Sequence, residues 1–372
     1  MERSLGCRPV EFPTLSDPWQ PRSDRWLARK PSRYEGSPGR PLFIGACPRS
    51  GTTLLRSLLD NHPDLAIPPE TDFVLPLWRT RVRFGDLGVP MNRRRVGRWI
   101  FHEEGHGGRR IRAKGARGHH LTRRQAIDRL VASPPTLGSL FAECFAIYAE
   151  SHGKSRWGDK RPAYAGYVKT LFALFPDAQF VNVVRDPRGA VSSLKGLGWH
   201  RERVALAAST ATWEMSVRRV DAYSRRLRPD QLLDVRYEDL VRDPPGVLAR
   251  ICAFADLAGG EAIEHMVTAE RGGVFRPGWH DRLSQPIDTA PIAAWSSRLA
   301  PHEVAFVEQA VAPYLERFGY RATADPGTDA DPKDFARLRR QRERRERNWR
   351  RQDRDELKRR LLYRRPIAAV RR

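Results

Sequence analysis

Cysteine is scarce in this sequence, with four residues scattered among 372, at Cys7, Cys47, Cys144 and Cys252. No two of them form a CxxC pair, and their density is far below that of a disulfide-stabilised domain. We therefore expect neither a disulfide framework nor a metal site. The sequence also has no apolar run near the roughly 18 residues that a membrane span requires, and its beginning has no apolar signal-peptide core. These features predict a cytoplasmic location.

Acidic residues are also few, with 44 Asp and Glu against 67 Lys and Arg, so that the formal net charge is +23. A large share of this positive charge lies in residues 333 to 372, which hold 18 basic and 6 acidic side chains. Such a charge suits an anionic partner, such as nucleic acid, a membrane surface or a phosphorylated ligand. Because acidic residues interrupt this basic tail at helical spacing, we interpret it as a solvated helix, with docking to an anionic surface as the alternative.

The pattern of apolar residues predicts an α/β fold with a central parallel sheet flanked by helices. Three strand-turn-helix units start at "PLFIGA", "AQFVNVV" and "QLLDVRY", and alternation of this kind is typical of a parallel sheet covered on both faces. An irregular arm (1–38) precedes the predicted domain (39–324), which contains an Arg-rich insertion or lid at about 78–135. Residues 301–318 form a predicted helix ended by Gly319, and a polar linker and a basic helical tail follow, together spanning 325–372.

The first unit contains a loop with the features of an anion-binding turn, "FIGACPRSGTTLL". Backbone N–H groups near a helix start favour an anion, and Gly51 permits close backbone approach. The phosphate-loop signature of ATP-binding proteins is not met, because Thr52 stands where the lysine belongs. Arg49 can supply the missing charge as a planar fork for phosphate or sulfate oxygens. Two alternatives stay open: an ATP-dependent P-loop kinase, and a nucleic-acid- or membrane-binding protein on an inactive scaffold.

Four strings in order, "PRSGTTLLRSLLDNHPDLAIPPET", "DKRP", "FVNVVRDPRGAVSSL" and "RYEDLVRDP", resemble the sulfotransferases that use 3′-phosphoadenosine 5′-phosphosulfate (PAPS), and most closely their tyrosylprotein branch. The strings lie within residues 41–245. Each string alone is a weak indication of the family, but the four strings in this order are specific for it. The resemblance implies the P-loop-like nucleotide fold of that family and PAPS as the sulfuryl donor, with adenosine 3′,5′-bisphosphate as the product and no metal.

The resemblance also implies roles for individual residues. The first string would hold the 5′-phosphosulfate through Arg49, Ser50, Gly51, Thr52 and Thr53. The others would bind the 3′-phosphate through Arg185 and Ser193, and approach the nucleotide with Tyr237. The implied catalytic residues are Arg49, Lys160 as the cation near the leaving phosphate, and Glu70 as the base.

Each assignment competes with a plain structural role. Arg185 and Lys160 can equally be surface cations, Glu70 a helix-start carboxylate and Tyr237 a core residue. The expected reaction is in-line sulfuryl transfer to a hydroxyl, or less favourably an amine, without a metal. The acceptor stays open among a peptide tyrosine, a carbohydrate, a lipid and a small metabolite.

Overall fold

The chain folds around a parallel sheet in a computed structural model that describes residues 39–101, 121–270, 285–325, 327–328 and 330–362. Across the sheet, the second, third, first, fourth and fifth strands of the chain follow one another, and every neighbouring pair is parallel. The predicted α/β fold is thereby confirmed. The arm at 1–38 and part of the insertion, 102–120, lie outside the described residues. The strands are β1 (Leu42–Ala46), β2 (Leu65–Ala66), β3 (Arg156–Lys160), β4 (Gln179–Val184) and β5 (Leu232–Arg236).

Helices follow or connect most of the strands. None of the described helices has the length and apolar character needed to cross a membrane, and the described cysteines, Cys47, Cys144 and Cys252, are free thiols. In chain order the described helices are α1 (Thr52–Leu59), α2 (Val74–Thr80), α3 (Pro90–Ile100), α4 (Arg123–Ala132), α5 (Leu137–Glu150), α6 (Val168–Leu174), α7 (Pro187–Lys195), α8 (Glu202–Ser224), α9 (Tyr237–Arg242), α10 (Pro244–Ala255), α11 (Glu261–Thr268), α12 (Ala290–Ala293), α13 (Pro301–Ala310), α14 (Ala312–Arg317) and α15 (Pro332–Leu362).

The central strand β1 is buried on both faces, which explains its continuous apolar sequence. Leu42 and Ile44 point into one core, which they share with α1 and α10, whereas Phe43 points into a second core with Trp157 and Phe180. This alternation follows from the two-residue period of a strand. The three predicted strand-helix units are present, as β1 with α1, β4 with α7, and β5 with α10, and the short helix α9 lies between the last two.

Two strands and one helix boundary differ from the sequence predictions. The prediction missed β2, which has two residues, and β3, whose sequence RWGDK has almost no apolar pattern although all five residues are buried. The predicted helix 301–318 is interrupted at Val311 and continues as α14. Pro313 explains the break, because proline has no N–H and its ring clashes with a preceding helical turn. Gly319 follows α14 in a left-handed conformation (φ 68°), as the predicted stop requires.

The described part of the insertion belongs to the main core. Side chains of α3 and α4, among them Val96, Ile100, Ile127 and Leu130, are buried in the same cluster as Phe43 of the sheet. Since these helices contribute apolar area to the cluster around β1, they support the sheet from one face.

The basic tail is helical, but its first half is docked on the body of the protein. On α15, Leu338 is buried and Phe335 packs on Phe306 of α13, with ring centroids 4.9 Å apart. Nε of Arg342 lies 2.6 Å from Oε2 of Glu214 on α8, and an N–H of Arg345 donates to Oγ1 of Thr212 at 2.7 Å. The interpretation as a solvated helix is therefore wrong for this half, because one face meets α8 and α13.

A buried leucine in the tail makes this docking testable. We expect Leu338→Ala to lower the free energy of unfolding by about 2–5 kcal/mol, the usual cost of emptying a buried leucine site. Urea unfolding followed by circular dichroism measures the change. The adjacent exposed residue gives the control, since Arg339→Ala should stay within about 0.5 kcal/mol of the wild type. Equal midpoints for the two variants would show that burial of Leu338 contributes nothing measurable to stability.

Candidate active site

The segments that follow β1, β3 and β4 meet at the carboxyl edge of the sheet, where open α/β folds bind ligands. Residues 47–51 connect β1 to α1, Arg161 follows β3, and Arg185 follows β4. Because β3, β1 and β4 are neighbours in the sheet, side chains far apart in sequence come into contact here.

The loop after β1 has an unusual backbone. Arg49 and Gly51 both have left-handed conformations, with φ of 71° and 84°, and such a conformation is uncommon for arginine. A Cβ on Gly51 would lie 2.3 Å from Cδ2 of Tyr237, so only glycine fits. The Ser50 side chain is fully buried, and its hydroxyl has no hydrogen-bond partner within the described chain. A twisted loop ahead of an uncapped helix start is the geometry of an anion-binding nest.

Two arginines and a serine lie together beside this loop. Arg185 donates one N–H to the backbone oxygen of Arg49 at 2.9 Å and another to that of Pro291 at 2.8 Å. Nε of Arg49 donates to Oγ of Ser193 on α7 at 3.2 Å. The Arg185 guanidinium also lies over the Tyr237 ring, 4.6 Å from its centroid. The structure thus gathers Arg49, Arg185, Ser193 and Tyr237 into one cluster.

This cluster carries positive charge that no described carboxylate neutralises. Neither Arg49 nor Arg185 forms an ion pair within the described residues, and Nε of Arg185 is buried without a hydrogen-bond partner there. Burial and the neighbouring Arg185 lower the pKa of Arg49. Arg188 differs, since it is paired with Asp186 at 2.6 Å and Glu308 at 2.5 Å. Two adjacent guanidinium groups that no carboxylate of the described residues pairs suit an anionic ligand.

A lysine and a glutamate form a pair beside Thr53, at the start of the helix that follows the loop. Nζ of Lys160, at the end of β3, is 3.1 Å from Oε2 of Glu70 and 3.4 Å from Oγ1 of Thr53. Lys160 is 2% exposed, whereas the side chain of Glu70 is half exposed. Burial lowers the pKa of Lys160, and the neighbouring Glu70 opposes that effect. The arrangement places an accessible carboxylate and a buried cation beside the anion-binding loop.

All of the residues predicted from the sequence therefore lie along this edge, and their individual roles remain predictions. The sequence reasoning missed three neighbours, Thr71, Asp159 and Arg161. Asp159 is completely buried and accepts hydrogen bonds from the hydroxyls of Thr71, at 2.7 Å, and Tyr164. The only signal for it was its place in "DKRP", since a buried carboxylate inside a strand leaves no trace in an apolar pattern.

Comparison with known proteins agrees with this geometry. Residues 41–260 match the model of the Sulfotransferase family. Protein-tyrosine sulfotransferase A of Caenorhabditis elegans is 23% identical, over 79% of this chain and 70% of that protein. Protein-tyrosine sulfotransferase 1 of Danio rerio is 25% identical, over 77% and 73%. Nodulation protein NoeE of Sinorhizobium fredii is 28% identical, over 77% and 68%.

Solved structures share the fold. The sulfotransferase domain of the olefin synthase from Synechococcus PCC 7002 superimposes with a TM-score of 0.53 and is 25% identical, covering 79% of this chain and 99% of that domain. The sulfotransferase domain of the curacin biosynthetic pathway gives a TM-score of 0.53 at 21% identity, over 77% and 100%. Since the family match covers more than half of the chain and coincides with the sheet and its anion-binding edge, this protein belongs to the sulfotransferase family and is an enzyme that transfers a sulfuryl group from PAPS.

Proposed function

We propose that this enzyme transfers the sulfuryl group of PAPS to the phenolic hydroxyl of a tyrosine in a peptide acceptor, leaving adenosine 3′,5′-bisphosphate. The observation that carries the proposal is the Lys160–Glu70 contact of 3.1 Å beside Thr53 of the anion-binding loop. The contact supports the proposal because a carboxylate able to act as base for the acceptor and a cation able to stabilise the leaving phosphate would then lie within reach of one site.

The residues of the loop would hold the phosphosulfate. Backbone N–H groups from Ser50 to Thr53 and the Arg49 guanidinium offer hydrogen bonds to its oxygens. The buried Ser50 hydroxyl lacks a partner among the described residues, so a ligand oxygen would satisfy it. Arg185 and Ser193 would bind the 3′-phosphate. The Tyr237 ring, over which the Arg185 guanidinium lies, would hold that guanidinium in place. The charge of the arginine cluster, which the described carboxylates leave unpaired, fits an adenosine bisphosphate.

In the transfer, the Glu70 carboxylate accepts the proton of the acceptor hydroxyl while that oxygen attacks sulfur. A new bond forms between oxygen and sulfur, and the bond from sulfur to the bridging phosphate oxygen breaks. The electron pair of that bond stays on the phosphate, where the Lys160 ammonium stabilises the added negative charge. Because Lys160 is buried, its charge is little screened by water and acts strongly on the leaving group.

Two arguments favour tyrosine as the acceptor. A phenol, with a pKa of about 10, gives its proton to a carboxylate more readily than a less acidic aliphatic alcohol does. In addition, two of the relatives described above are named protein-tyrosine sulfotransferases. A carbohydrate, a lipid, a small metabolite or an amine is the competing acceptor.

Transfer of label from ³⁵S-PAPS tests the proposal. The full chain is incubated with the donor and a tyrosine-containing peptide, and the same peptide with phenylalanine in place of tyrosine is the matched control. We expect label in the tyrosine peptide alone. Label in an oligosaccharide, lipid or amine but not in the peptide would refute the tyrosine acceptor and keep sulfuryl transfer. Phosphate transfer from ATP and magnesium without any use of PAPS would refute the reaction itself.

A further inference from the structure

Three consecutive residues at the end of β3 contact three consecutive residues of the segment that contains Glu70. Asp159 accepts a hydrogen bond from the Thr71 hydroxyl at 2.7 Å, and Lys160 contacts Glu70 at 3.1 Å. Arg161 donates to the backbone oxygen of Thr71 at 3.1 Å and forms an ion pair with Asp72. The position of the Glu70 carboxylate relative to the Lys160 ammonium therefore depends on a series of contacts with one strand end.

Thr71 connects the buried side of β3 to the segment that contains Glu70. Because neighbouring side chains leave opposite faces of a strand, Asp159 and Lys160 point to different sides of β3. Lys160 reaches Glu70 on the side of the anion-binding loop. Asp159 holds the next residue of the same segment on the other side, where Thr71 is fully buried. With its neighbour fixed in this way, Glu70 has few backbone arrangements left, although its own side chain is half exposed.

The Asp159 carboxylate is completely buried with one oxygen lacking a hydrogen bond in the described chain, which distinguishes it from an ordinary packing residue. Burial raises the pKa of Asp159 to about 6, against the hydrogen bonds of Tyr164 and Thr71 and the charges of Arg161 and Lys160. The folded state thus binds a proton that the unfolded state has already released, so stability is lost as the pH rises toward about 6. Its Oδ1 has no hydrogen-bond partner in the described chain. Polar side chains that are buried without all of their hydrogen bonds, at a cost in stability, are more frequent at functional sites than elsewhere.

We propose that Asp159 is a positioning residue, which acts through the Thr71 hydroxyl to hold Glu70 against Lys160 in the geometry that proton transfer requires. The inference rests on the proposed role of Glu70 as the base. Asp159 is completely buried, so we assign it no contact with donor or acceptor. Its effect is on the orientation of a catalytic group, and misplacement of such a group by about 1 Å can cost on the order of 100-fold in rate.

The test uses the full chain with ³⁵S-PAPS and the tyrosine peptide, and compares Thr71→Val with Thr71→Ser. Valine has the shape of threonine without the hydroxyl, and serine keeps the hydroxyl. We expect Thr71→Val to lower kcat by about 10- to 100-fold and Thr71→Ser to stay within about threefold of the wild type. The affinity for adenosine 3′,5′-bisphosphate, measured by calorimetry, should be unchanged in both, which also shows that the donor site has folded.

The same substitutions in a Glu70→Gln background separate positioning from a structural role. If Thr71 acts through Glu70, adding Thr71→Val to Glu70→Gln should change kcat by less than about twofold, because coupled residues are not additive. Unchanged kcat in Thr71→Val alone, a full additional loss in the double variant, or a parallel loss of bisphosphate affinity would each overturn the positioning role. Wild-type turnover in Glu70→Gln alone would instead refute Glu70 as the base, and the positioning role with it.

Discussion

Replacing Glu70 with glutamine is expected to lower kcat by about 100- to 10,000-fold, the usual contribution of a general base. Glutamine keeps the size of the side chain and an oxygen for Lys160, which donates to Oε2 of Glu70 at 3.1 Å, but it cannot take up a proton. The measurement is the steady-state rate with PAPS and the tyrosine peptide. Affinity for adenosine 3′,5′-bisphosphate should remain near that of the wild type, because the product carries no acceptor hydroxyl.

Measuring both kcat and bisphosphate affinity distinguishes loss of the base from a disturbed donor site. A substitution that only disturbs the loop around Thr53 would weaken bisphosphate binding together with kcat. The exposed Glu316 on α14 provides the matched control, and Glu316→Gln should leave both quantities unchanged. Undiminished kcat in Glu70→Gln would mean that another group, or water, removes the acceptor proton.

Much of the fold was predictable because buried parallel strands have a clear sequence signature. β1 and β4 are almost fully buried on both faces, so their apolar runs stood out, and turns followed each of them. β3 lies beside β1 in the same sheet and is just as buried, yet it contains Arg156, Asp159 and Lys160. Their partners come from distant segments of the chain, and no local pattern shows that such partners exist. The pairing of a polar strand is therefore a tertiary property.

The candidate site was predictable to a similar degree. Arg49, Arg185 and Ser193 were found through the motifs that they share with the sulfotransferases, and the structure shows that they form one cluster. The role proposed for Thr71 and Asp159 depends on a contact between residues 88 positions apart in sequence, and the motifs do not describe that contact. The cytoplasmic location remains a prediction from the sequence.

The tail shows how a charge pattern can mislead. Residues 333–372 are strongly basic, which favoured a helix surrounded by solvent. Phe335 and Leu338 are three positions apart, so they share one face, and Arg342 and Arg345 extend that face toward α8. Two apolar side chains pack on the body of the protein, and two arginines with long aliphatic stems find acceptors on α8 and α13.

Replacing Arg185 with alanine is the second change with a large expected effect. We expect the dissociation constant for adenosine 3′,5′-bisphosphate to rise by about 10- to 100-fold, since hydrogen bonds to a charged group contribute about 1.5–3 kcal/mol and each 1.4 kcal/mol is a factor of ten. The affinity for adenosine 5′-monophosphate should change far less, because that ligand has no 3′-phosphate. Calorimetric titration of both nucleotides measures the difference.

The comparison of two nucleotides is needed because Arg185 also has a structural role. It donates to the backbone oxygens of Arg49 and Pro291, so its loss can loosen the anion-binding loop. A loosened loop would weaken both nucleotides equally, whereas a lost 3′-phosphate contact weakens the bisphosphate alone. Arg250→Ala removes the same charge from an exposed position on α10 and controls for long-range attraction. Parallel losses for the two nucleotides would assign Arg185 to the support of the loop, and unchanged affinity for both would exclude it from donor binding.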